Sequence, residues 1–154
     1  MIKIMFVCHG NICRSPMAEF LMKDLVKKKG LEQDFFIQSS ATSGEELGNA
    51  VHRGTRAVLD RRGISCAGKY AVKLKKEDYE NYDFFIGMDE YNHHNMKRIF
   101  GGDPEGKISL LLDYTDFPRD VSDPYWTGDF KATENDIEKG VQAFFDYLEK
   151  EKII

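Results

Sequence analysis

The chain is short of cysteine and proline, has no long apolar run, and carries no large excess of one charge. Three cysteines, Cys8, Cys13 and Cys66, cannot pair completely, and their spacing is not that of zinc ligands. A disulfide scaffold and a zinc module are thereby excluded. Four prolines in 154 residues, with 42% hydrophobic and 31% charged residues, exclude collagen, coiled coil and general disorder. Lys and Arg number 22 against 26 Asp and Glu, a net charge of −4. So mildly acidic a chain is a poor partner for nucleic acid, although a local cationic pocket remains compatible with it. No stretch approaches the roughly 18 apolar residues of a membrane span. The apolar start, Met1 to Val7, is too short for a signal sequence and runs into Cys8-His9-Gly10-Asn11 rather than a small-residue cleavage site. The expectation is a cytoplasmic protein with reduced thiols and no membrane partner.

What is present is an alternation of strand and helix over one domain, residues 1–154, with no repeat and no linker. Residues 2–7 read as a buried strand, and Ser15-Pro16 as the start of a helix carrying Met17, Phe20, Leu21 and Leu25 and stopped by Gly30. A short strand over 35–38 precedes a Ser/Thr/Gly loop from Ser39 to Gly48. A helix over 49–62 follows. Tyr82 to Gly87 is a third strand, Asp89 caps a helix to about Phe100, and Ile108 to Leu112 is a fourth strand. After a long acidic and aromatic loop, Asp113 to Lys131, Thr133 and Asp136 fit a capping-box variant. They precede a helix with Ile137, Val141, Phe144, Phe145 and Leu148 on one face. The predicted fold is α/β: a four-stranded parallel sheet with helices on both faces and a phosphate-binding loop between the first strand and first helix. Ligands bind such sheets beyond the carboxyl ends of the strands, where Cys8 stands.

The loop Cys8-His9-Gly10-Asn11-Ile12-Cys13-Arg14-Ser15 has the parts of an anion cradle. A short strand-to-helix loop gathers backbone N–H groups at its mouth, and a helix start adds unpaired donors and partial positive charge. Gly10 and Asn11 tolerate left-handed conformations. Arg14 can hold two phosphate oxygens with one planar fork. Such a field favours a nucleophilic thiolate at Cys8. The loop contains no lysine and no nucleotide P-loop pattern.

Val7-Cys8-His9-Gly10-Asn11-Ile12-Cys13-Arg14-Ser15-Pro16 resembles the signature of the low-molecular-weight protein tyrosine phosphatases. The likeness continues through Ser39-Ser40-Ala41-Thr42-Ser43-Gly44, Gly48-Asn49, Met88-Asp89-Glu90 and Ser122-Asp123-Pro124-Tyr125-Trp126. The resemblance implies hydrolysis of phosphotyrosine in proteins, and of small aryl phosphates, with phosphate as an inhibiting product. Cys8 would form a phosphocysteine, Arg14 and the loop amides would bind the phosphoryl oxygens, and Ser15 would hydrogen-bond the thiolate. Asn11 and Ser39 would brace the cradle. Asp123 would be general acid, then base. His9, Gly10, Ile12 and Cys13 complete the substrate-binding loop, while Tyr125 and Trp126 would wall the substrate ring. Cys8 and Cys13 form the expected redox pair.

Three positions depart from the family pattern. Glu45 stands where an aromatic wall is usual, no His occurs near Gly68-Lys69-Tyr70, and His9 replaces a commonly apolar residue. These bear on substrate preference rather than on the reaction. No metal or cofactor is expected: His93 and His94 are adjacent and cannot share an ion by themselves. Lys27-Lys28-Lys29 reads as a solvated helix end. Two alternatives stay open. An arsenate reductase of the same fold would need two further cysteines near the third strand, and residues 78–92 hold none. A silent phosphate-binding module would be expected to have lost Cys8, Arg14 or Asp123.

Overall fold

In the computed structural model, which describes all 154 residues, the first strand, β1 (Ile2–Cys8), is the axis of the molecule. Its side chains alternate between two cores, as the two-residue period of a strand requires. Ile4, Phe6 and Cys8 enter one cluster, Met5 and Val7 the other. It pairs in parallel with β2 (Phe35–Ala41) on one side and β3 (Phe84–Gly87) on the other. β3 in turn pairs with β4 (Ile108–Leu110), giving the order β2-β1-β3-β4. Every crossover is helical or long, as parallel pairing demands.

The larger core lies under α1 (Arg14–Lys28), α2 (Arg53–Arg61) and α6 (Phe130–Lys150), and includes Met17, Leu21, Leu59, Ile137, Val141, Phe144 and Leu148. The smaller one lies on the opposite face, where Tyr79 of α3 (Asp78–Asn81) and Met96 and Phe100 of α4 (Glu90–Phe100) cover Phe85. Helices therefore cover both faces, as the strand–helix alternation predicts. Gly140 lets α6 approach closely, since a Cβ there would collide with the Leu111 side chain.

Several boundaries differ from the sequence reading. The helix expected over 49–62 begins only at Arg53. His52 caps it by accepting from Gly54 N at 3.0 Å, and Ala50 instead bridges to Tyr70. β2 runs on to Ala41, which puts Ser39 inside a strand. α1 starts at Arg14, so Pro16 occupies its third position rather than its first. β4 stops at Leu110, and Leu111–Tyr114 form a 3-10 turn because Asp113 folds back to accept from Leu110 N at 2.9 Å. The loop after it holds a four-residue helix, α5 (Pro124–Thr127). α6 is capped by Asp129, which accepts from Ala132 N at 3.0 Å. Thr133 and Asp136 are not its cap: Thr133 donates to Ser122 O at 3.1 Å, and Asp136 takes both nitrogens of Arg119 at 2.6 and 3.0 Å.

Candidate active site

Cys8 is the last residue of β1 and only 3% exposed. The chain leaves the sheet there and turns back into α1 within five residues. That turn needs a left-handed residue, and Asn11 supplies it at φ 60°. Gly10, the other candidate, does not. Its lack of a side chain serves proximity, since a Cβ would stand 3.3 Å from Glu46 Cγ. With Asn11 so placed, its backbone N–H donates to Cys8 Sγ at 3.3 Å, and Ser15 Oγ stands 3.0 Å from the same sulfur. Neighbouring segments hold the outer loop: Thr42 N and Ser43 N donate to the carbonyls of Cys8 and His9, and His52 N to that of Ile12. Thr55 Oγ1 donates to Cys13 O at 3.0 Å.

Arg14 is 3% exposed, and one arm of its fork is anchored while the other keeps hydrogens free toward the cleft. Nη1 donates to Asp89 Oδ2 at 2.9 Å and to Val121 O at 3.0 Å, while Nη2 lies 3.5 Å from Asp123 Oδ2. Burial opposes the charge of the guanidinium. The Cys8 thiolate, Asp89 and Asp123 outweigh that and hold its pKa above the ordinary arginine value. Burial likewise pushes the Cys13 thiol up to about 12, with the charge of Cys8 adding to it.

The cleft above the sulfur encloses about 170 Å³ and is lined by loop residues 8–10 and 12–14, Glu45, Glu46, Asp123, Tyr125 and Trp126. Asp123 caps α5 through Oδ1, accepting from Tyr125 N at 3.1 Å, and this turn presents the two aromatic rings 5.2 Å apart and almost perpendicular. Trp126 is 81% exposed. Opposite them, His9 Nε2 meets Glu45 Oε2 at 3.2 Å, both side chains well solvated. A wider groove between residues 113–117 and α6 is lined by no thiol.

All the residues singled out in the sequence as substrate-contacting thus line one cleft, except Asn11 and Ser15, which stand behind it. Asn11 Nδ2 donates to Ser15 Oγ at 2.8 Å and to Ser39 Oγ at 2.9 Å, so Ser39 braces the loop from β2. The sequence reading took Asp89 as a helix cap and as part of the family resemblance but missed its anchoring of Arg14, and it gave no role to Glu46, Glu19 or Lys69. Glu19 had a signal: it lies four residues after Ser15 and so shares its helix face. Chemically, the site offers a thiol beside an N–H donor, an anchored guanidinium and a carboxylate next to that guanidinium on the same cleft, which suits transfer of an anionic phosphoryl group.

Comparison with known proteins agrees with this geometry. The family model described as low molecular weight phosphotyrosine protein phosphatase matches residues 3–153. The low molecular weight protein-tyrosine-phosphatase YfkJ of Bacillus subtilis is 40% identical over 154 residues, 99% of either chain. PtpA of Staphylococcus epidermidis is 33% identical over 98% of this chain and 96% of its own. The crystal structure of YfkJ superposes with a TM-score of 0.95, covering 99% of this chain and 97% of that one. That of SP-PTP from Streptococcus pyogenes, 38% identical, gives 0.84 over 97% and 93%. The chain belongs to the low molecular weight protein tyrosine phosphatases, a family of phosphoric monoester hydrolases.

Proposed function

We propose that this protein hydrolyses phosphotyrosine in proteins, and small aryl phosphates, by way of a phosphocysteine on Cys8. The observation that carries the reading is the pair of hydrogen-bond partners on one sulfur, Asn11 N–H, which donates, and Ser15 Oγ at 3.0 Å, beneath a cleft that Arg14 and Asp123 face from one side. The Cys8 thiolate attacks phosphorus, the S–P bond forms and the P–O bond to the aryl group breaks. Asp123 passes its proton to the departing oxygen, which is a poor leaving group without it. Water then attacks phosphorus, Asp123 takes up its proton, and inorganic phosphate leaves as the S–P bond breaks. Ser15, hydrogen-bonded to sulfur, stabilises the thiolate as it is released. Arg14 and the loop amides hold the phosphoryl oxygens throughout, and phosphate competes for the same cradle. Tyr125 and Trp126 supply the ring wall. No nucleic-acid or membrane partner is invoked, and no helix is long and apolar enough to cross a membrane.

The test compares wild type, Cys8→Ser and Asp123→Asn on aryl phosphates of graded leaving-group basicity. Cys8→Ser is expected to retain phosphate binding and lose turnover. Asp123→Asn is expected to lose about 10²–10⁴-fold on phenyl phosphate and much less on nitrophenyl phosphate. Hydrolysis by Cys8→Ser, or an equal loss on both substrates in Asp123→Asn, overturns the assignment.

A further inference from the structure

Behind the cradle lies a buried charge cluster that no step above uses. Glu19, one turn after Ser15 on α1, is 2% exposed. Lys69 reaches in from the segment after α2, its side chain 9% exposed. Its Nζ donates to the Ser39 carbonyl at 2.8 Å and lies 3.5 Å from Glu19 Oε1. Lys23 Nζ holds the other oxygen of Glu19 at 2.6 Å. Taking a carboxylate and an ammonium out of water costs several kcal/mol unless pairing and hydrogen bonds offset it. An apolar pair would fill the space without that cost.

The cluster has a consequence for hydrogen-bond direction. A carboxylate only accepts. Ser39 Oγ stands 2.5 Å from Glu19 Oε1, so its one proton goes to Glu19 and its lone pairs face Asn11 Nδ2. The Asn11 amide cannot turn over, because its Oδ1 accepts from Val72 N at 3.1 Å. Its two hydrogens therefore go to Ser39 and to Ser15. Ser15 Oγ, already accepting from Asn11, has its own proton free for Cys8 Sγ, 3.0 Å away. One carboxylate thus orders a chain of donors that ends on the sulfur, and the same chain steadies the left-handed Asn11 whose N–H also points there.

We propose that Lys69 is a positioning residue: its ammonium, fixed between the Ser39 carbonyl and Glu19, supplies the charge that keeps Glu19 an acceptor, so that the Ser39–Asn11–Ser15 chain donates toward Cys8. The proposal rests on Cys8 as the nucleophile. The groups facing Lys69 are few. Burial lowers its pKa, Glu19 raises it, Lys23 lowers it and the Cys8 thiolate raises it, leaving it below the ordinary lysine value. Glu19 and the charge of Cys8 favour the ammonium against that burial. Coupling of this kind is mutual.

Two substitutions test this. Lys69→Met removes the charge and keeps most of the stem. Glu19→Gln puts an amide, able to donate, beside Ser39 Oγ. The reactivity of Cys8 is read as the rate of alkylation by iodoacetamide against pH, without substrate. Cys13, its thiol pushed up to about 12, and buried Cys66 contribute little. Each variant is expected to move the alkylation midpoint to higher pH by about half a unit to one unit and to lower kcat on nitrophenyl phosphate about tenfold. KM should change less, since Arg14 and the loop amides remain. Lys69→Arg should recover most of the loss. Lowered melting temperature in both variants with unchanged midpoint and kcat means a merely structural pair and overturns the proposal. If Lys69→Met does not fold, Glu19→Gln carries the same expectation. A wild-type protein that hydrolyses no aryl phosphate sinks the functional reading instead, because the alkylation profile needs no turnover and still decides this one.

Discussion

Asp89 divides one carboxylate between two tasks. Oδ1 accepts from Asn92 N at 2.9 Å and caps α4; Oδ2 accepts from Arg14 Nη1 at 2.9 Å. Substitution can separate them. Asparagine and serine cap helices about as well as aspartate. In Asp89→Asn, however, the cap uses the only amide oxygen, which leaves Nδ2 facing Arg14 Nη1, donor against donor. In Asp89→Ser the hydroxyl is too short to reach the guanidinium while it caps. Both variants should keep α4 and leave Nη1 with only the Val121 carbonyl at 3.0 Å. A hydrogen bond between charged groups contributes about 1.5–3 kcal/mol. If that loss falls on the orientation of the fork, kcat/KM drops about 10- to 150-fold. Asp89→Ala loses the cap as well, about 1 kcal/mol, so its melting temperature should lie roughly 2–4 °C below that of Asp89→Ser at similar kcat/KM. Steady-state kinetics and thermal melts on the three variants are sufficient. If Asp89→Asn and Asp89→Ser stay within about threefold of wild type while Asp89→Ala alone is impaired, Asp89 acts through the helix and not through Arg14.

Glu45 lines the cleft where a stacking face is missing, so Glu45→Trp should lower KM for aryl phosphates several-fold with little change in kcat. KM unchanged in Glu45→Trp and Glu45→Gln at low and high salt would show that only the Tyr125–Trp126 side holds the ring. Mild peroxide should convert the Cys8 thiolate to a sulfenic acid, which the Cys13 thiol then condenses with, releasing water and forming a disulfide that thiols reduce. Peptide mapping that finds mainly unbridged Cys8 sulfinate refutes this. Burial tends to raise the pKa of Asp103, but hydrogen bonds from Tyr79 Oη and the amides of Lys107 and Ile108 hold it below the ordinary aspartate value. The stability it contributes is complete above the unfolded pKa of about 3.9 and is lost as pH falls through the lower folded value. Asp103→Asn should therefore melt lower at neutral pH, with a deficit that narrows below about pH 4; a deficit constant down to about pH 2.5 contradicts this.

Local patterns were legible in the sequence, and long-range use of charge was not. The alternation of Ile4, Phe6 and Cys8 with Met5 and Val7, followed at once by Gly10-Asn11, announces a buried strand breaking into a tight loop. The body of α6 was equally plain from Ile137, Val141, Phe144, Phe145 and Leu148. Its start was not, because Thr133 and Asp136 have capping chemistry but spend it on Ser122 and Arg119. Leu110, Leu111 and Leu112 are all buried, so hydrophobicity could not show where strand gives way to 3-10 turn. Asp89 and Lys69 were invisible as site residues for another reason. Their partners lie 75 and 30 residues away, and a charged residue bound for the interior looks like any surface charge until the chain closes around it.

The cap that Asp123 places on α5 gives the aromatic wall a rhythm. The turn is four residues long and ends at left-handed Gly128; Trp126 N and Thr127 N donate to the Asp123 carbonyl and Gly128 N to that of Pro124, and the Asp123 carboxylate adds the bond to Tyr125 N. A charged acceptor makes a hydrogen bond roughly twice as strong as a neutral one. On the proposed pathway Asp123 is a neutral acid while the aryl ester is seated and a carboxylate once the ring has left. On that pathway the bond from Tyr125 N, at the foot of the ring wall, is the weaker one while the ester is seated and the stronger one once the ring has left. One proton serves as both reagent and clasp.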